Sequence, residues 1–228
     1  LLLEGTELEL CDEILYLGVT LSNDDQTHAD NRIKSSRRAY CALQGCGLHP
    51  QGLAPETVTH LWSAAVRPVL LYGSHCTYLK PSAVREMQKT QAQLLKVALG
   101  VRKHCHSSML MDALKLEDVQ TLINIARLRT LRSAIQSESR ASNFFAFCLC
   151  QHLMGKACDP KGTIVQSSTI CKDAGLSLQH VLLDPYSSLL PLHKKPVIND
   201  GVIDSIRQLL QFYSQSNCAL LNVLLRSY

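Results

Sequence analysis

The sequence predicts a mainly α-helical protein with one small β-hairpin at its N-terminal end. Three observations predict it. Apolar residues recur at helical spacing through most of the chain, residues 6–21 alternate instead, and aromatic residues make up only 5% of the total. Strands favour aromatic and β-branched side chains, so scarce aromatics point to helices packed through Leu, Ala and Val. Hydrophobic residues at 46% suffice for a core, and 228 residues fit one large domain or two modest ones.

Thr6 to Cys11 and Ile14 to Leu21 read as two short strands joined at Asp12-Glu13. Ser22-Asn23-Asp24-Asp25 breaks the alternation, and Asp24 or Asp25 is placed to cap a helix from Thr27 to Gln44. On that helix Ala29, Ile33, Ala39, Tyr40 and Leu43 gather on one side, with Lys34, Arg37 and Arg38 opposite. Arg32 points toward the apolar side, so it must snorkel or pair. Gly45-Cys46-Gly47 ends the helix. Pro55 suits a first helical position and starts a helix to about Val66. Pro68 should kink or restart it before Leu70-Leu71-Tyr72, with a stop at Gly73-Ser74.

Ser82 to Leu99 shows the clearest helical period. Val84, Met87, Gln91, Leu94, Leu95 and Ala98 form its stripe, with Arg85, Lys89 and Lys96 outside and Gly100 as the stop. Met109 to Leu114 reads as a short helix. Glu117 to about Gln136 is a longer one, apolar on more than one side. Asn143 to Met154, Asp200 to Tyr213 and Cys218 to Leu225 are further helices. Between them, Lys156 to Lys195 carries Pro160, Gly162, Gly175, Pro185 and Pro191, and reads as an irregular connection with one helix near Thr169 to Ala174.

Charge is unevenly spread. Residues 1–30 hold eight acids and no Lys or Arg, whereas residues 31–140 hold sixteen basic residues against six acids, a net of +10. Residues 141–228 hold seven against five. A basic middle is what a polyanion-binding surface needs, because each neutralised phosphate releases counterions. Solvated helix faces account for the same charges equally well. Lys34, Arg37 and Arg38 are the first candidates for sequence-independent phosphate contacts. Arg127, Arg129 and Arg132 form a second group; Arg129 and Arg132 are about 60° apart on a helix, but Arg127 lies off that face, and a structural role is the favoured reading. Arg67, before a proline in an apolar segment, also reads as structural.

Ten cysteines and nine histidines raise the question of disulfides or metal. No Cys-x-x-Cys pair exists, and Leu1-Leu2-Leu3 passes at once to Glu4-Gly5, unlike a signal peptide. Reduced, mostly buried thiols in an intracellular protein are the expectation. His104-Cys105-His106 and Cys148, Cys150, His152 and Cys158 lack the paired spacing of zinc sites. No apolar run approaches the roughly 20 residues needed to cross a bilayer. No nucleophile triad or phosphate-cradling glycine loop is visible.

One ordered set of motifs carries a resemblance. A strand ends in Tyr16-Leu17-Gly18, followed by a polar turn, His28, and a basic helix from Arg32 to Arg38. Next come Leu53, Pro55, Glu56 and Thr57 at a helix start, then Leu61-Trp62 and Arg67-Pro68-Val69-Leu70-Leu71-Tyr72-Gly73. Met87-Gln88-Lys89-Thr90-Gln91 and Leu94 to Gly100 close the set. Over roughly residues 8–116 this order resembles the end of the palm and the thumb of a non-LTR (LINE-type) retrotransposon reverse transcriptase.

The resemblance implies a helical, thumb-like bundle with a hairpin left over from a palm sheet. Residues 1–25 would be the palm-end hairpin, 26–140 the thumb-like domain, and 141–228 a C-terminal region without an assigned role. Tyr16, Leu17 and Gly18 would form a primer-grip-like element, and Lys34, Arg37, Arg38, Arg129 and Arg132 would be the nucleic-acid contacts. Taken without the family, Tyr16 and Leu17 read as the core of a half-buried hairpin.

Polymerase chemistry needs carboxylates converging on Mg²⁺. The family carries them upstream of the Tyr-Leu-Gly motif, and no matching pair stands here; Asp24-Asp25 reads as a cap and Asp12-Glu13 as a turn. The expectation is therefore a chain without catalytic residues or cofactor of its own, with Mg²⁺ belonging to the palm. Template–primer RNA or DNA would be its partner, along with palm and fingers, in the nucleus or cytoplasm. Neither a membrane nor a small-molecule substrate enters. The alternatives are a helical protein-interaction module and a decayed retroelement remnant.

Overall fold

A computed structural model describes residues 2–3, 6–7, 11–50, 52–137, 140–183, 189 and 192. It is mainly helical, with short antiparallel strand pairs confined to the N-terminal end. Strands β1 (Leu2–Leu3) and β2 (Thr6–Glu7) form a two-residue ladder. Strands β3 (Glu13–Tyr16) and β4 (Val19–Ser22) pair from Glu13 opposite Ser22 to Tyr16 opposite Val19.

That register moves the turn away from where the sequence suggested it. Asp12-Glu13 does not join the strands. Glu13 opens β3, and the carbonyl of Asp12 accepts from Asn23 N–H at 3.3 Å at the open end of the hairpin. The reversal falls at Leu17-Gly18, with φ of +49° and +77°. Two consecutive positive φ values make the mirror-image turn whose twist matches paired strands. Gly18 was the readable cue. Leucine is not a residue that signals positive φ, so the first half of the turn was hidden.

Helix α1 (Thr27–Gln44) buries Ala29, Ile33 and Tyr40 on the predicted side. Its flanking residue is Gln26, which makes no side-chain cap, so Asp24 is not the cap itself. Asp24 Oδ1 instead accepts from Gln26 N–H at 3.2 Å, organising the turn that leads in.

Helix α2 (Pro55–Leu61) runs through a π-helical stretch, Trp62–Val66, into α3 (Arg67–Leu71). The wide turn has a local cause. Pro68 has no N–H and its ring crowds the carbonyl four residues back, so the preceding turn widens and Arg67 N–H reaches Trp62 O. Trp62 is fully buried there.

Helix α4 (Pro81–Ala98) follows, then α5 (Ser107–Ala113) and α6 (Val119–Gln136), whose cap Asp118 accepts from Thr121 N–H at 2.7 Å. Helix α7 covers Arg140–Leu153. Residues 156–183, the part of this stretch that the structure describes continuously, are more regular than the sequence suggested. Helices α8 (Thr163–Asp173) and α9 (Leu178–Leu183) lie there, and they pack on α6. Their signal was masked because polar Ser167 is fully buried on α8, breaking the apolar period. The helices expected at Asp200–Tyr213 and Cys218–Leu225 lie outside the described residues.

Among the described residues two apolar clusters hold the fold. One runs from Ala29 through Trp62, Met87 and Leu110 to Val119 and Ile123. The other takes Ile125, Leu128 and Leu131 with Leu149, Ile164, Cys171 and Val181. They meet inside α6, which explains why that helix is apolar on more than one side. Among the described residues no helix is long and apolar enough to cross a membrane.

The thiols also differ from expectation. Among the described residues every cysteine is free, but Cys11, Cys41, Cys46, Cys76 and Cys150 are exposed, and only Cys105 and Cys171 are buried. Cys41 sits on α1 next to the buried Tyr40 and therefore faces away from the core.

Candidate nucleic-acid interface

The turn at Tyr16-Leu17-Gly18-Val19 and the segment Arg67–Gly73 are far apart in sequence and meet in space. Tyr72 Oη donates to Leu17 O at 2.8 Å. A Cβ on Gly18 would lie 3.3 Å from Tyr72 Cε1, so the ring lies against the turn. At Gly73, φ is +72° and a Cβ would come within 2.6 Å of Val19 Cγ2. Glycine at this φ leaves room for the Val19 side chain to lie against the end of α3.

His28 completes the junction. Its Nδ1 accepts from Thr20 N–H at 3.2 Å, and a nitrogen that accepts carries no proton. The proton therefore sits on Nε2, which donates to Tyr72 O at 2.9 Å. One imidazole thus bridges β4 and the end of α3. Burial pulls its pKa below the ordinary histidine value; the Tyr72 carbonyl opposes that shift and Arg32 adds to it. Asn31 Nδ2 donates to Thr20 Oγ1 at 3.1 Å, fixing the same strand from α1.

The hairpin's other surface is open. All four β3 residues are exposed; Tyr16 is 63% and Leu17 75% exposed. The reading of these two as hairpin core is overturned: the buried residue is Thr20 on β4, the strand on which α1 packs.

On α1, Lys34, Arg37 and Arg38 are all exposed, opposite Ala29, Ile33 and Tyr40. Arg32 does what an off-face cation must. It is half-buried, with its guanidinium carbon 5.6 Å from the Tyr72 ring centroid, in cation–π range.

The second basic group divides. Arg127 is buried and donates from Nε to His75 O at 3.4 Å and from Nη2 to Thr77 O at 3.0 Å, holding the loop before α4. Arg132 is half-buried and donates from Nε to Val181 O at 2.7 Å, tying α6 to α9. Arg129 is exposed, and with Arg132, Ser133 and Gln136 it lines a shallow depression. Arg67 is half-buried, and burial lowers its pKa from the usual arginine value.

Asp24 and Asp25 serve as anchors. Lys80 Nζ lies 3.2 Å from Asp24 Oδ1, joining the start of α1 to the start of α4. The Lys80 hydrogen bond is the main reason that the Asp24 carboxyl stays below the usual range. Lys161 Nζ lies 2.8 Å from Asp25 Oδ2 and 5.2 Å from the Tyr78 ring centroid. Neither ion pair was visible in the sequence, since the partners are 56 and 136 positions away.

Lys96 is a correction. The helical period placed it outside α4, yet it is buried. Its ammonium donates to Lys103 O at 3.2 Å and also to Cys105 O, so local carbonyls compensate the buried charge. Burial holds its pKa below that of a free lysine, with Cys105 opposing.

Among the described residues no group of three His, Cys, Asp or Glu side chains is placed to hold a metal ion. Comparison with family profiles, curated proteins and solved structures finds no match to this chain.

Proposed function

We propose that the chain is the palm end and thumb of a non-LTR retrotransposon reverse transcriptase, and that it holds a template–primer duplex by contacts to the phosphate backbone. The supporting observation is the junction of Tyr72 and Gly73 with Leu17, Gly18 and Val19. The two segments that carry the resemblance close on each other through a hydrogen bond, a bridging imidazole and a glycine-only contact.

In this reading the exposed Tyr16 and Leu17 form the element that meets the primer end. Lys34, Arg37 and Arg38 supply sequence-independent charge from the neighbouring helix. Catalytic carboxylates and their Mg²⁺ belong to a palm strand outside these 228 residues, so the chain binds duplex and does not extend it.

Fluorescence anisotropy with a labelled RNA–DNA primer–template, repeated across a salt series, tests this. Affinity should fall log-linearly with salt, with a slope set by the number of phosphates neutralised. Absence of binding in dilute buffer, or primer extension by the chain alone, overturns it.

A second reading, a helical protein-interaction module, is favoured by α7. Phe144 and Phe147 on it, and Met154 just past its end, are each more than 60% exposed. Apolar exposure of that kind marks protein contacts more often than nucleic-acid contacts. A salt-insensitive interaction lost on Phe144→Ser and Phe147→Ser would select it.

A further inference from the structure

We propose that the outer face of α7 is a self-association seam, on which α7 of a second copy of this chain packs in parallel. The inference is independent of the duplex reading, and it names the partner for the apolar face on which the second reading rests.

The face has a regular spacing. Phe144 is 63% exposed, Phe147 61% and Met154 63%. Met154 N–H bonds Cys150 O at 3.0 Å, so the helical path continues past Leu153. With Gln151, these residues stand at i, i+3, i+7 and i+10. Steps of three, four and three are the a-and-d repeat through which the helices of a coiled coil meet. Leu149, on the opposite side of the helix, is buried, and α7 packs on α6 and α8. One side of α7 therefore serves the second apolar cluster, while among the described residues the other side stands open.

Charge decides what can close it. Residues 141–155 contain no Asp, Glu, Lys or Arg. The solvent side of α1, by contrast, carries Lys34, Arg37 and Arg38. Such a face repels a copy of itself, whereas α7 brings no like charges together. The positions flanking the seam are Asn143, Cys148 and Cys150, where coiled coils commonly carry Glu or Lys.

Gln151 selects the copy and its direction. It lies half-buried in the middle of the seam. In a parallel pair of identical helices each seam residue meets itself, so the two Gln151 amides each offer a donor and an acceptor to the other. An antiparallel pair sets Gln151 against Phe147 and leaves its amide unmet on burial, as does any wholly apolar partner. One polar residue at an a position fixes register in this way.

Area sets the strength. A phenylalanine buries roughly 150–250 Å², so both rings and Met154 at their present exposure offer on the order of 350 Å² per copy. Over two copies that falls below the roughly 1,200 Å² at which standard interfaces begin, so the dimer is weak and forms with concentration.

Sedimentation velocity of the full chain tests this, from micromolar to hundreds of micromolar, in reductant because Cys150 is exposed beside the seam. The mass should move from monomer to dimer. Gln151→Glu sets two like charges face to face and should raise the dimer Kd by roughly tenfold or more. Gln120→Glu, the same change at an exposed position of α6, should leave it unchanged. Phe144→Ser with Phe147→Ser should abolish the dimer, with urea melts showing that each variant is folded.

A chain that stays monomeric throughout overturns the inference; the second reading then stands only if the Phe144/Phe147 variant loses a different protein partner. A dimer that persists unchanged in Gln151→Glu forms elsewhere, and the seam is not its site. If the chain is monomeric and the seam variants lower its stability, the same molecule covers the face, and the inference fails. Should the double serine variant not fold, the isosteric Gln151→Glu still decides. Loss of duplex binding bears on the duplex reading alone.

Discussion

Tyr72 Oη donates to the backbone carbonyl of Leu17 across 55 positions of sequence, and Leu17 is a residue held at φ +49°. A leucine in the left-handed region costs about 1–2 kcal/mol, so the turn exists because its surroundings impose it. The phenol and the Gly73 backbone are those surroundings.

Removing them should separate the two contributions. Tyr72→Phe keeps the ring and loses one partly exposed hydrogen bond, about 0.5–1.5 kcal/mol. Gly73→Ala must push Val19 away and adopt a strained φ, so it should cost more, about 1–3 kcal/mol. Urea unfolding ranks the two variants, and equal midpoints would refute the close-approach account.

The bridging imidazole predicts a pH dependence with a definite sign. Burial depresses the pKa of His28 below its unfolded value of 6.5, so below about pH 6.5 the unfolded chain binds more protons than the native one. Stability should be flat with respect to this group above that pH. It should fall as pH drops below it, and level off once the native ring protonates and loses the Thr20 bond. Burial, with Arg127 beside it, shifts His75 in the same direction. Denaturation midpoints measured from pH 8 to 5 should show the fall, and His28→Gln with His75→Gln should flatten it. A midpoint that rises on acidification would contradict the assignment.

Lys115 closes α5 in the left-handed region at φ +53°, with Lys115 N–H on Asp112 O and Leu116 N–H on Met111 O. Glycine is the residue that position favours. Lys115→Gly should therefore stabilise the protein by about 1 kcal/mol, less the extra entropy of the unfolded chain. A lower urea midpoint would mean that the lysine side chain contributes a contact of its own.

The α1 face gives a binding prediction that leaves stability alone. Lys34→Ala, Arg37→Ala and Arg38→Ala should each reduce the salt slope of duplex binding by about one. Exposed positions of this kind shift stability by no more than about 0.5 kcal/mol. Anisotropy and urea melts on the same samples check both statements.

Local periodicity made much of the helical framework legible. Helix α1 has the bounds that its apolar stripe and following glycines suggested, because both signals are carried within a few turns. The widened turn at Trp62–Val66 was foreshadowed by Pro68, although its π form was not. What stayed hidden was whatever depends on a distant partner. Nothing near Lys96 in sequence says that two carbonyls of the next loop will turn toward it. Arg127 was readable as off-face, but the carbonyls of His75 and Thr77 that explain it lie about fifty positions earlier. The candidate interface divides the same way. Helical spacing exposed Lys34, Arg37 and Arg38, whereas the His28 bridge needed the folded chain.

Helix α6 gives Val119 and Ile123 to one apolar cluster and Ile125, Leu128 and Leu131 to the other. Among the described residues the two clusters therefore share one continuous helix, and the chain passes from one to the other without a slack tether that a protease could sever cleanly. A proline set at Ala126 would snap that shared helix. It should turn one sharp melting transition into two, as each half loses the wall it borrows from its neighbour.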